Sequence, residues 1–202
     1  MSGIPVVLAG ARLEVLVVGG GSVAARRAAA FAEAGARVRV VAISAGDAVR
    51  ALAARGAVSL VERPFAVADI GDAALVIAAT NDRAVNARVA SGARALGRLA
   101  NVTDAPDEGN CVVAAAHVTG DLVIGVTAGG VPAAAARIRD AIAARFDDRY
   151  AEAVRALGTL RRRLLDGGDR EAWTRASAAL VDDDFCELVE RGDLATRATA
   201  WR

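Results

Sequence analysis

Three short stretches carry residue types whose spacing points to chemistry. The first is Gly19-Gly20-Gly21-Ser22-Val23-Ala24, which fits the pattern G-x-G-x-x-A. In that pattern the first glycine permits a tight turn and the second lets backbone approach a pyrophosphate. The alanine lets a helix sit close to its strand. The second is Ala78-Ala79-Thr80-Asn81-Asp82, with Asn86 four residues on. The third, Asn101-Val102-Thr103-Asp104-Ala105-Pro106, sets a carboxylate beside an amide and a hydroxyl. A carboxylate next to a redox cofactor can accept a proton; on its own it is equally a turn aspartate capping the segment before Pro106.

The surrounding sequence decides what could position these groups. Residues 13–18 are apolar and largely β-branched, as in a strand buried on both faces. Residues 22–34 predict a helix stopped at Gly35, and Arg37 to Ala42 a second strand. A helix over 45–55, a short strand over 58–61, a buried strand over 75–79, a helix over 82–97 and a strand over 99–102 follow. Strands alternating with helices at short spacing predict βαβ units and a parallel sheet, an α/β fold of the Rossmann type. The glycine turn then presents the free N–H groups and positive end of a helix to phosphates.

After Asp104 the rhythm changes. A strand is expected over 122–127 and a helix over 131–145, with Pro132 near its first turn. From Asp148 on only helices are expected, over 150–165, 171–180 and 185–191, a helical C-terminal tail. Asp147, Asp148 and the run Asp182-Asp183-Asp184 suit helix N-termini.

Composition narrows the function classes. All 25 basic residues are arginine, against 24 acidic ones, and a net charge of +1 argues against a nucleic-acid partner held by bulk electrostatics. Cys111, Cys186 and the single histidine, His117, lack zinc-ligand spacing, so no resident metal is expected. All three read as core residues. No apolar run reaches 18 residues and no leader pattern opens the chain, so a cytoplasmic protein without a membrane partner is expected. The second strand ends Val41-Ala42-Ile43-Ser44, without the acid that commonly holds an adenosine ribose; Ser44 could serve instead. That segment leaves NAD and NADP both open. No arginine follows Ser44 to take a 2′-phosphate, which favours NAD.

The glycine turn, the two strand-end motifs and the later loop Thr127-Ala128-Gly129-Gly130-Val131-Pro132 occur in one order over residues 4–145. Together they resemble the siroheme synthase N-terminal family, the precorrin-2 dehydrogenases, some of which are also sirohydrochlorin ferrochelatases. The resemblance implies NAD-dependent oxidation of precorrin-2 to sirohydrochlorin by a homodimer, with Asp104 as the acidic residue of the site. It places dinucleotide contacts on Ser22, Val23, Ile43 and Ser44, beside Gly19 and Gly21 of the turn. Thr80, Asn81 and Asn101 at the sheet edge join them as expected cofactor residues. Thr127, Gly129, Gly130 and Arg137 are expected at the tetrapyrrole, whose carboxylates suit arginine. The loop is one residue shorter than the family's S-T-G-G-x-S-P and lacks its second serine, which bears on any chelatase step. The implied division is a dinucleotide-binding domain over 1–112, a dimerisation segment over 113–147 and a helical domain over 148–202. Two rivals stand beside this reading: a sirohydrochlorin chelatase without dehydrogenase activity, and a non-enzymatic nucleotide-sensing module.

Overall fold

The computed structural model describes residues 3–202. Two compact units divide the chain, residues 3–113 and 114–202. The first is a parallel sheet of five strands, β1 (Glu14–Val18), β2 (Arg37–Ala42), β3 (Ser59–Glu62), β4 (Leu75–Ala78) and β5 (Leu99–Val102), in the order β3-β2-β1-β4-β5. Helices α1 (Ser22–Glu33), α2 (Asp47–Ala54) and α3 (Arg83–Ala95) make three of the four crossovers, and the β3–β4 connection carries only the 3-10 turn Val67–Asp69. The order reverses between β1 and β4, and open α/β sheets bind ligands outside the carboxyl ends of strands flanking such a point.

Apolar runs on both faces explain why the strands are central. Val15, Val17, Val38, Val40 and Ile77 pack with Ala24, Ala25 and Ala28 of α1 on one face. Leu16, Val18, Val41, Val76 and Val102 pack with Val89, Ala90 and Ala93 of α3 on the other. With alanines as the helix side of both layers, helix and sheet approach closely without aromatic fillers.

A buried carboxylate ties the β3–β4 connection. Asp69, 5% exposed, accepts from Arg63 Nη1 at 2.8 Å and Nη2 at 2.5 Å and from the Ala66 amide at 2.8 Å. The Arg63 hydrogen bonds, helped by the Ala66 amide, hold this carboxyl below the usual aspartate range against the opposing effect of burial. A group depressed in the folded state stabilises the fold above its unfolded pKa, and that stability is lost as pH falls through the folded value. Asp69→Ala is therefore expected to lower Tm at pH 7 and to flatten the acid-side loss of Tm seen in the unsubstituted protein. The orphaned Ala66 amide alone costs on the order of 1–3 kcal/mol, while Arg63, half exposed, rehydrates. Thermal melts of both proteins between pH 3 and 7 check this; parallel curves would refute it.

The second unit opens with an antiparallel hairpin, β6 (Ala115–Thr119) and β7 (Leu122–Val126), followed by α4 (Pro132–Arg145), α5 (Asp148–Asp166), α6 (Arg170–Leu180), α7 (Phe185–Glu190) and α8 (Asp193–Ala200). Strand β6 and helix α8 are additions to the elements expected from sequence. Asp147 caps α5 by accepting from the Arg149 amide, as expected. The run Asp182-Asp183-Asp184 leads into α7 with Asp184 at its N-cap, as expected, though without a side-chain cap bond. His117 is half buried with Nε2 2.6 Å from the Phe146 carbonyl oxygen. Leu160, Ala176, Leu180, Leu188, Val189 and Leu194 form the core of the helical part.

Candidate active site

The glycine turn leaves β1 with Gly19 at φ +135°, a conformation that L side chains rarely adopt. Its amide donates to Val41 O at 2.9 Å, fastening the turn to β2, and a Cβ there would run into the Ala79 carbonyl at the end of β4. Gly20 lies against the chain after β2: a Cβ would overlap the Ser44 carbonyl oxygen, and Gly46 N donates to Gly20 O at 2.9 Å. Gly21 is different. It is the N-cap of α1, extended (φ −84°, ψ −175°), exposed, and nothing lies within 4 Å of where its Cβ would be. No side chain caps α1 and no acidic residue occupies its first turn, so its leading N–H groups face an open, positively polarised space.

The remaining expected cofactor residues of this unit line the same sheet edge, with one difference. Ser44 and Ile43 follow β2 and are both exposed, Ile43 at 74%. Thr80 and Asn81 follow β4, adjacent to Gly19 through Ala79. Asn101 is instead buried within β5: its Nδ2 donates to Cys111 O at 3.1 Å, and its Oδ1 has no partner. Cys111 beside it is a half-buried thiol that burial pushes up to about 11, which leaves it neutral and unreactive near neutral pH.

Asp104 stands at the end of β5, held to β4 by the preceding residue: Thr103 N and Oγ1 both donate to Ala78 O at 3.0 Å. Its side chain does not cap the next segment. The 3-10 turn Pro106–Glu108 has Ala105 at its N-cap, without a side-chain bond. Instead Asp104 Oδ1 accepts from Asn86 Nδ2 at 2.9 Å, and Oδ2 faces Arg83 Nε at 3.9 Å. Arg83 also bonds Glu108, and this, ahead of the nearby Asp104 charge, raises the guanidinium above its ordinary pKa. Arg83 is a site residue that the sequence did not point to, and Asn86 was legible only as part of the β4 motif, with no role of its own. The visible signal was Asn86 following the β4 motif at helical spacing.

The glycine turn, with Gly21 open to the helix terminus, is what a dinucleotide pyrophosphate requires, and residues 6–115 match a family model described as "Putative NAD(P)-binding". The chain belongs to this family. That match supports a nicotinamide dinucleotide, NAD or NADP, as the cofactor of this unit, and the chain is also similar to a solved structure titled "SirC, precorrin-2 dehydrogenase". That structure superimposes with a TM-score of 0.72 at 25% identity, over 96% of this chain and 98% of its own. The siroheme synthase of Methylococcus capsulatus is 37% identical over 212 residues, spanning 98% of this chain and 45% of the relative. The siroheme synthase of Stutzerimonas stutzeri is 36% identical over 190 residues, spanning 93% and 39%. The chain thus spans less than half the length of these curated relatives.

In the second unit Thr127, Gly129 and Gly130 form an exposed loop between β7 and α4, closed by Val131 N donating to Ala128 O at 2.8 Å. Gly129 and Gly130 both have positive φ, +53° and +80°. Arg137 is exposed on α4, whereas Arg139 is paired with Asp140 at 2.5 Å. Among the described residues no helix is long and apolar enough to cross a membrane.

Proposed function

We propose that the protein oxidises precorrin-2 to sirohydrochlorin with NAD, and that Asp104 is its catalytic residue. The observation that carries this reading is the shared sheet edge: a glycine turn open to a dinucleotide at β1 and a half-exposed carboxylate at the end of β5, on opposite sides of the topological switch point between β1 and β4. The family match, the siroheme synthase relatives and the likeness to a precorrin-2 dehydrogenase over nearly the whole of both chains support it.

Gly19, Gly21, Ser22 and Val23 would hold the pyrophosphate, Ile43 and Ser44 the adenosine end, and Thr80 and Asn81 the remainder, whereas Asn101, buried within β5 beneath the Cys111 segment, is not assigned to the cofactor. Bound NAD supplies the two-electron acceptor. The oxidation removes two hydrogens from the macrocycle, one with its electron pair and one as a proton. Asp104 takes that proton on Oδ2, the oxygen turned toward Arg83 and away from Asn86. Thr127, Gly129, Gly130 and Arg137 are assigned to the tetrapyrrole, Arg137 as a partner for a substrate carboxylate.

The homodimer belongs to the same proposal. The outer face of the hairpin pairs Ala116 with Gly125 and Val118 with Val123, and leaves Val118 62% and Val123 45% exposed. Residues 113–147, which hold this face, are assigned as the dimerisation segment between the dinucleotide-binding domain (1–112) and the helical domain (148–202). A cytoplasmic location and the absence of nucleic-acid and membrane partners complete the reading.

The test is an anaerobic assay of the purified protein with precorrin-2 and either NAD or NADP, followed by added iron or cobalt. Absorbance of reduced cofactor and of sirohydrochlorin rising together, faster with NAD, is the expected result. Unchanged precorrin-2 with both cofactors would overturn the proposal, and metal insertion into supplied sirohydrochlorin under those conditions would establish the chelatase in its place.

A further inference from the structure

We infer that Asn86 is the positioning residue of the site: its side-chain amide dictates which oxygen of Asp104 receives the proton and locks that carboxylate to the loop after β4. The inference rests on the dehydrogenase reading for the role of Asp104, but on geometry alone for its own.

Asn86 is wholly buried in the first turn of α3, where an apolar side chain would pack without desolvating an amide. Every hydrogen-bonding position of its amide is filled. Nδ2 donates to Thr80 O at 3.0 Å and to Asp104 Oδ1 at 2.9 Å. Oδ1 accepts from Thr80 N at 3.1 Å and from Thr80 Oγ1 at 2.7 Å. Turning the amide over would set its oxygen against two acceptors and its NH2 against the Thr80 amide, so only one orientation satisfies the network.

That orientation has a chemical consequence. Asp104 Oδ1 always meets a donor and cannot carry a proton toward Asn86. A proton arriving at the carboxylate is thereby directed to Oδ2, the oxygen that accepts no hydrogen bond. The side chain is 38% exposed, and Oδ2 is the oxygen turned toward Arg83, itself 48% exposed and bonded to Glu108. One amide therefore sets the reactive oxygen and also fixes Thr80, two residues after the end of β4 and beside the glycine turn. Residues 18 apart in sequence become one rigid piece because β4 and β5 are paired.

The test uses Asn86→Asp, Asn86→Leu, Asp104→Asn and the exchanged pair Asn86→Asp/Asp104→Asn, in the full chain. Asn86→Asp keeps the size and the acceptor for Thr80 but sets carboxylate against carboxylate. Its kcat is expected to fall about 10²-fold, the cost of a misplaced catalytic group, while KM for NAD and NAD affinity by fluorescence titration stay within about threefold. If Asn86 acts through Asp104, the exchanged pair is no slower than Asp104→Asn alone, because effects through one group do not add. It also recovers the part of the Tm loss of Asn86→Asp that comes from two facing carboxylates, since an amide and a carboxylate again face each other, while the donor to Thr80 O stays lost in both. A kcat within threefold of the parent in both Asn86 variants, or a further additive loss in the exchanged pair, overturns the inference. Should Asn86→Leu fold poorly, the exchanged pair carries the test. Should the parent protein not oxidise precorrin-2, the functional proposal fails by itself; that partial recovery of Tm in the exchanged pair then upholds the Asn86–Asp104 lock and its absence refutes it.

Discussion

Asp104→Asn is expected to lower kcat for precorrin-2 oxidation by about 10²–10⁴-fold, the range for loss of a positioned general base, with NAD affinity and Tm little changed. The size of the effect follows from the Asn86 amide. An asparagine at 104 must point its oxygen at Asn86 Nδ2, because the opposite orientation sets two NH2 groups together. Its own NH2 then takes the place of Oδ2, facing Arg83. A donor replaces the acceptor at the atom to which the proton is directed, and the substitution is nearly isosteric, so folding is not at issue. Steady-state kinetics with a separate NAD titration separate the two quantities. A kcat within threefold of the parent would remove Asp104 from the chemistry. Loss of NAD binding in step with kcat would instead make it a cofactor ligand.

The sheet was legible because its strands are buried on both faces. Runs such as Leu16-Val17-Val18 and Leu75-Val76-Ile77 leave no polar periodicity to mistake for a helix, and Gly35 marks the end of α1 closely. Strand β6 was not legible. Ala115-Ala116-His117-Val118-Thr119 has neither the alternation nor the β-branched density of its partner Leu122–Val126, and it is a strand because β7 pairs with it. Helix α8 escaped for a similar reason: Leu194 and Ala198 are its buried residues, too sparse a stripe to read as a helix face.

At the site, Asp104 was legible as a residue but not in its surroundings. Local sequence before Pro106 suggests a capping aspartate, and the competing bond comes from Asn86, which only strand pairing brings within reach. The unpaired oxygen of Asn101 was equally invisible, since it depends on which way a β5 side chain faces and on the segment at Cys111 that covers it. The motif supplied residue types; the partners that set their protonation and orientation are tertiary.

The glycine turn makes the same point within three consecutive residues, and the expected result there is a reversal of roles. The pattern G-x-G assigns significance to Gly19 and Gly21 and none to Gly20. In the structure Gly20 is confined by the Ser44 carbonyl and, at 3.0 Å from a would-be Cβ, by Ala45 Cα, whereas Gly21 has open space and a φ any residue tolerates. Gly20→Ala is therefore expected to destabilise the fold by on the order of 1–3 kcal/mol, as overpacking does, because backbone rather than a flexible side chain must yield. Gly21→Asp is expected to leave Tm unchanged or raise it, since aspartate is among the best N-cap residues and α1 has no side-chain cap. The same carboxylate would occupy the N–H groups that the pyrophosphate needs and add a negative charge where two more must bind. Its NAD affinity is expected to fall at least 100-fold, which corresponds to about 2.7 kcal/mol. Thermal melts and NAD titration of both variants decide the matter. A Gly21→Asp protein that binds NAD within tenfold of the parent would show that the dinucleotide does not rest on the N-terminus of α1.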